Sequence, residues 1–480
     1  MKHFRCLTLL GVSLFLISAC SKMEPIGPSP QQVPPAGLSV QSLLQNQIQI
    51  TSSTGTPLAK SEVLIGMGTE GRDPLIADQN GRITIPPYWT NLEHVTISAP
   101  GHIRATYLHQ APLPKIFSLN AIDARPSLEV KGVTTGFENY IIDKDGLMDF
   151  AVVFPLLNLA DLLFFNESSV ASLEFDHISI LGQKVAVSSN VSLPLQKEKF
   201  GPLTFTVNKP TYRFKVNQTG SYKFIATRAR ASVSALRDNL TPAELMNQTT
   251  FGGGGIRPVT VTNMGAVVDI PANEIKFKPK FSVTAGTLPE GYVMMAAPLV
   301  AEGSLRYPSD IKSIKSQDTK SLAIPEQGPS ELVTIISAPD PVLNRAASAA
   351  LNKVPLTAQL RHLGLIKPPT VTRNQIQLQV PTAPSDVIPA GTYITKSQVT
   401  QMVVDGRTVE WVNRQWEIYS DKWETFIQLP NAPQTDATIN RLEASFLARE
   451  PGELKMNSQD ARSQIFEELT YLSRNAVELK

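Results

Sequence analysis

Asp78-Gln79-Asn80-Gly81-Arg82-Ile83-Thr84-Ile85-Pro86 reads as a turn followed by a strand, and the same pairing recurs on either side of it. Asn80-Gly81 is a strong hairpin cue, because a type I′ turn needs positive φ at both central residues. Beyond it, Ile83 and Ile85 alternate with polar residues, the period of two that a half-buried strand requires. Further out, Ile48 and Ile50, Val63 and Ile65, and Val95 and Ile97 repeat the alternation. Thr54-Gly55-Thr56-Pro57 and Ala99-Pro100-Gly101 supply turns between them. Short strands at this spacing predict a small β-sandwich over residues 48–120.

The same residues carry a resemblance. Thr54-Gly55-Thr56-Pro57-Leu58-Ala59, Val63-Leu64-Ile65, the 78–86 stretch, and Val95-Thr96-Ile97-Ser98-Ala99-Pro100-Gly101-His102 are similar to the carboxypeptidase regulatory-like family. Its members are transthyretin-like β-sandwiches that serve as accessory modules in secreted bacterial proteins. The resemblance covers residues 48–119, under a sixth of the chain. It implies a module that spaces, stabilises or binds, with no functional residue to carry over.

At the N-terminus, Lys2 and Arg5 precede a short apolar run ending at Ile17, then small residues and a cysteine. A basic start, an apolar stretch too short to span a bilayer and a small-residue site make a secretory signal over residues 1–19. Ile17-Ser18-Ala19-Cys20 resembles the lipobox of bacterial lipoproteins, which implies cleavage before Cys20 and acyl chains such as palmitate on its thiol. Several chains on one cysteine give lasting attachment, at about 0.8 kcal/mol per buried methylene. By the same resemblance, Ser21 in place of Asp implies the outer membrane. Residues 20–47 are rich in proline and form a tether; about twenty extended residues at ~3.1 Å each reach roughly 60 Å.

Composition narrows the classes. Removing residues 1–19 leaves 42 basic against 42 acidic residues, which argues against nucleic acid as a partner. Cys6 leaves with the signal and Cys20 is acylated, so no disulfide and no thiol nucleophile remain. Thirty-seven prolines and 28 glycines fit short strands and many turns.

The rest of the chain divides into a β-rich region at 121–310, a polar linker at 311–330, a second β-rich region at 331–455 and a tail at 456–480. Alternating runs mark strands near 173–178, 203–207, 212–216, 222–225 and 277–283. Residues 150–165 fit either a helix or two strands split at Pro155. One helical turn is expected at 241–245, a helix at 342–351 on its alanines, and a short helix at 460–469 before a terminal strand. The fold class is therefore mainly β: a multidomain β-sandwich protein, Ig-like or transthyretin-like, with few short helices.

Chemistry is sparse. No His-Glu-Xaa-Xaa-His and no Gly-Xaa-Ser-Xaa-Gly occurs. His94, His102 and His109 fall about one strand apart and either converge on a metal or serve as ordinary sandwich histidines. Gly252-Gly253-Gly254-Gly255 lacks the Gly-Lys-Ser/Thr of a phosphate loop and reads as a flexible loop. Asp143, Asp145 and Asp149 around Gly146 resemble part of a calcium loop, against a plain Asp-Gly turn; any calcium there would be structural, and no other cofactor is implied. Trp411, Trp416 and Trp423 form the densest aromatic stretch. They are glycan-stacking candidates if exposed and core residues if the strands pair around a turn at Ser420-Asp421.

The expectation is a lipid-anchored cell-envelope protein whose non-catalytic modules act in structural, adhesive or assembly contacts. Its partners would be the membrane through Cys20 and a protein or glycan of the envelope. The alternative is an envelope hydrolase or glycan-binding protein with its site in 122–455.

Overall fold

The computed structural model describes residues 46–479 except 70, 72, 123–125, 138–146, 159–161, 164–171, 173, 181–182, 201–202, 233–246, 339–344, 355, 357–359, 405–406, 432–438, 452–459 and 467–468. Among them the chain is almost entirely β, in several sheets. An α-helix spans Ala461–Phe466 near the C-terminus. Among the described residues no helix is long and apolar enough to cross a membrane.

The first sandwich has seven strands: β1 (Gln47–Ser52), β2 (Glu62–Ile65), β3 (Leu75–Ile76), β4 (Arg82–Thr84), β5 (Glu93–Ser98), β6 (Arg104–Gln110) and β7 (Lys115–Leu119). β4-β1-β7 forms one sheet, and β6-β5-β2-β3 faces it. The alternation read from the sequence supplies the filling: Ile48, Ile50, Val63, Ile65, Ile83, Val95, Ile97 and Phe117 are all buried in one cluster. The Asp78–Gly81 turn forms, with the Gly81 amide donating to Asp78 O at 3.0 Å and Gly81 at φ +68°. It is not a two-strand hairpin, however. β3 and β4 pair with different partners, so the turn carries the chain from one sheet to the other. Gly81 is required there twice over: a Cβ would also lie 2.3 Å from Ile50 O.

The middle region holds a seven-stranded sheet with Leu147–Pro155, Gly220–Ser232, Thr250–Val261 and Ile275–Thr284 at its centre. Residues 147–155 thus form one strand ending at Pro155. The glycine run lies inside a strand rather than a flexible loop, because the sheet is crowded: a Cβ on Gly255 would meet Pro271 O at 1.7 Å. The helical turn expected at 241–245 lies outside the described residues.

The third sheet has thirteen strands. From one edge it runs Leu305–Pro308, Val293–Glu302, Glu331–Ser337, Ala347–Lys353, Tyr471–Glu478, Arg441–Arg449, Ile388–Val404 and Arg407–Ser420, then continues into β6, β5, β2 and β3. The thirteenth strand, Lys312–Ile314, also pairs with Val293–Glu302. Two expectations are corrected here. The 311–330 stretch is not a linker: Lys312–Ile314 and Thr319–Pro325 are paired strands. Pairing buries Lys312–Ile314, with Lys312 3.5 Å from buried Asp310 and also donating to Thr249 O, while the polar residues of the turn at 315–318 stay exposed. Ala347–Lys353 is a strand, not a helix: it is paired on both sides, and tertiary pairing overrides the helix propensity of its alanines. The tail agrees with expectation, with a capped helix followed by a strand at Tyr471–Glu478.

Candidate functional site

The most concentrated chemistry lies where the first sandwich joins the large sheet. β6 runs parallel to Arg407–Ser420, with Trp416 opposite Arg104, Glu417 opposite Ala105, Ile418 opposite Thr106 and Tyr419 opposite Tyr107. Alternation therefore turns Glu417 and Tyr419 towards the sandwich interior, while Trp416 and Ile418 point to the other face.

Glu417 is fully buried. Its carboxylate accepts from Tyr419 Oη at 2.7 Å, Tyr393 Oη at 2.8 Å, Arg414 Nη1 at 2.8 Å and Asn120 Nδ2 at 3.0 and 2.9 Å. Burial pushes this carboxyl up, but the Arg414 and Arg462 charges and the two tyrosine hydroxyls outweigh it and hold the group below the usual range. Conversely, burial and then the Glu417 charge push the Tyr419 hydroxyl well up. A carboxylate with four donor groups is a held charge, with no solvent path to a substrate.

Around it stands an aromatic stack. Tyr107 and Tyr419 lie 4.9 Å apart at 19°, and Tyr419 and Tyr393 lie 5.2 Å apart at 25°. Phe466, from the tail helix, meets Tyr393 edge-on at 5.4 Å. That helix is fixed by Asp460, which accepts from the Ser463 amide at 3.1 Å as an N-cap and from Ser118 Oγ of β7 at 2.9 Å. Three distant stretches thus meet at one buried acid.

A second group sits beside the junction. β5 and β6 carry a bulge between Glu93 and Val95, and His109 occupies it at φ +53°. The His94 and His109 rings meet edge-on at 5.2 Å, and His109 Nε2 lies 3.2 Å from Oε1 of buried Glu424. The His109 amide donates to His94 Nδ1 at 3.4 Å. Burial, followed by His109, lowers the His94 pKa against the opposing effects of Glu424 and the Gln428 backbone. Of the three histidines read as a possible cluster, the fold unites two. His102 stands apart, its Nδ1 2.9 Å from Pro100 O. Among the described residues no group of three or more His, Cys, Asp or Glu has the geometry to hold a metal ion.

The tryptophans are structural where they stand. Trp411 and Trp416 are buried, which removes their faces from glycan stacking. Trp416 Nε1 donates to Thr106 Oγ1 at 2.9 Å across the junction. Trp423 is half-buried, donates to Leu447 O at 2.7 Å and meets Phe446 edge-on. The strands do not fold around Ser420-Asp421: Arg407–Ser420 pairs with Ile388–Val404, Val404 opposite Arg407. Asp143 and Asp145 lie outside the described residues, as does Cys20. Asp149 is a buried strand residue whose carboxylate is bound by Arg228, at 3.0 and 2.9 Å from Nε and 2.7 Å from Nη2, which leaves it unsuited to a calcium loop. Sequence reading missed Glu417, Tyr393 and Asn120 altogether. Only Tyr419, within the aromatic stretch, carried a local signal.

No family pattern and no curated protein matches the chain. Among solved structures, native α-2-macroglobulin of E. coli aligns at 10% identity and TM-score 0.12, over 95% of this chain and 30% of that one. The trypsin-activated E. coli protein gives 9% and 0.13, over 98% and 32%. Salmonella α-2-macroglobulin reacted with methylamine gives 10% and 0.12, over 88% and 27%. This chain spans under a third of the length of each. Scores this low carry no argument about fold or function.

Proposed function

We propose that this chain is a lipid-anchored cell-envelope protein, attached to the outer membrane through acyl groups on Cys20, with a proline-rich tether leading to its first module. Its β modules then act in structural, adhesive or envelope-assembly contacts with a protein or glycan partner. The Ile17-Ser18-Ala19-Cys20 motif and Ser21 support the address. The resemblance of 48–119 to carboxypeptidase regulatory-like modules supports an accessory, contact-making role for the first sandwich.

One observation carries the contact role. The first sandwich is built into the large sheet by β6 and locked by a saturated, buried Glu417, so strands from residue 62 to residue 478 form one continuous surface. Burying a charge is costly unless it is fully paired, and the share of that pairing supplied by Asn120 is available only while the two parts stay joined. Such a joint suits a body that presents a fixed face.

The anchor is tested by Cys20→Ala. The variant should move from the membrane to the soluble fraction, and an unchanged distribution would sink the proposal. Protease shaving of intact cells, blotted for the C-terminal region with periplasmic controls intact, then separates the roles. Loss of signal supports adhesion; full protection supports envelope assembly.

A further inference from the structure

The strand register fixes which end of the first sandwich the tether enters. β1 runs antiparallel to β4, with Gln47 opposite Thr84, and parallel to β7, with Ile48 opposite Lys115. The Ile85 amide donates to Asn46 O at 3.0 Å. The chain therefore arrives at the end where residues 86–92 leave β4 and residues 111–114 lead into β7.

That end exposes apolar side chains among the polar residues Thr84, Thr90 and Asn91. Tyr88 is 40% exposed, Leu92 63% and Leu113 61%, with Pro87 and Pro114 exposed beside them. The opposite end shows Thr54, Gly55, Gln79 and Asn80 together with exposed Ile76 and Ile122. The apolar loops are held in place. Buried Trp89 closes a turn on Pro86 O at 3.0 Å and donates Nε1 to Gln110 O at 3.3 Å, and the Leu113 amide donates to Ala111 O at 2.8 Å. Leu92 and Leu113 leave apolar surface in water at the end where the tether arrives.

We propose that this end, through Tyr88, Leu92 and Leu113, rests on the lipid surface to which Cys20 is attached. The inference depends on the anchor reading above and adds an orientation to it: the sandwich lies down on the membrane instead of standing at the reach of its tether. The occupant follows from the register, because the tether delivers the membrane to this end of the module. The side chains also fit. Leucines enter the acyl boundary, and a tyrosine sits with its ring at the headgroup level. Anchoring by Cys20 makes the contact intramolecular, so a small patch suffices.

The test uses the full chain purified from membranes and reconstituted in phosphatidylethanolamine–phosphatidylglycerol vesicles. An environment-sensitive fluorophore is placed on Leu113→Cys and, as control, on Met264→Cys, a position 95% exposed in the middle region. The expected result is blue-shifted emission at 113, quenched by shallow spin-labelled lipids, and water-like emission at 264. Water-like emission at both positions overturns the contact. A probe at 113 that stays water-like on bare vesicles yet shifts in native membranes marks a protein partner and also overturns it. Wild-type chain that takes the label has a free Cys20 thiol; this fails the anchor and the contact with it. Wild-type chain that refuses the label while 113 stays water-like fails the contact alone.

Discussion

Asn120 and Glu417 lie 297 positions apart in the chain, and the Asn120 amide donates to both carboxylate oxygens at 3.0 and 2.9 Å. One residue follows the last strand of the first sandwich and the other belongs to the large sheet, so their contact ties the module to the body. Removing either end of such a tie exposes how much of the joint rests on it.

Glu417→Gln should destabilise the protein by about 3–5 kcal/mol, because it leaves Arg414 buried without its charge partner. Urea denaturation measures the loss, and limited proteolysis should release the first sandwich more readily. Adding Arg414→Met should recover part of the stability. A double variant no better than the single would contradict the charge argument.

Acid should weaken the fold through His362. Burial pushes its pKa down to about 4 from 6.5. The unfolded chain therefore binds the extra proton first, and stability falls as the pH drops from about 6.5 towards 4. The slope from this site is at most about 1.4 kcal/mol per pH unit. Thermal melts of wild type and His362→Gln across this window give the difference; parallel profiles would refute the assignment.

Gly255→Ala should cost roughly 1–3 kcal/mol or more, since its Cβ would collide with the Pro271 carbonyl. Gly252→Ala, with nothing within 4 Å of the added carbon, should be close to neutral. Paired thermal melts compare neighbours that the sequence makes look alike.

Trp416→Phe should lose about 1 kcal/mol with the hydrogen bond to Thr106, and retention on peptidoglycan or other polysaccharide columns should not change. Reduced retention at unchanged stability would restore a glycan role to this ring.

Asp149→Asn should destabilise the middle sheet by weakening its pairing with Arg228, equally with and without calcium. A stability gain on adding calcium that the substitution abolishes would reinstate the acid as a ligand.

Periodicity of two was enough to read the first sandwich, because Ile48, Ile83, Val95 and their neighbours alternate in and out of one core. The same short-range signal marked several middle strands, and local preference marked the tail helix. It failed wherever long-range pairing outweighs local preference. The alanines of 347–350 favour helix in isolation but lie between two strands. Residues 311–330 look like a linker by composition, yet Lys312–Ile314 and Thr319–Pro325 pair with distant strands and leave the polar turn between them exposed.

By itself, the sequence determined the β class, the hydrophobic alternation and the turn at Asn80-Gly81, all of which depend on neighbours within a few residues. Only the tertiary structure decided that this turn changes sheets, that β6 joins Arg407–Ser420, and that Glu417 gathers Asn120, Tyr393, Arg414 and Tyr419. The reason is physical. A buried carboxylate is tolerated only where several donors converge. Here two near neighbours, Arg414 and Tyr419, act with Tyr393 24 positions away and Asn120 297 away, a set that leaves no pattern along the chain.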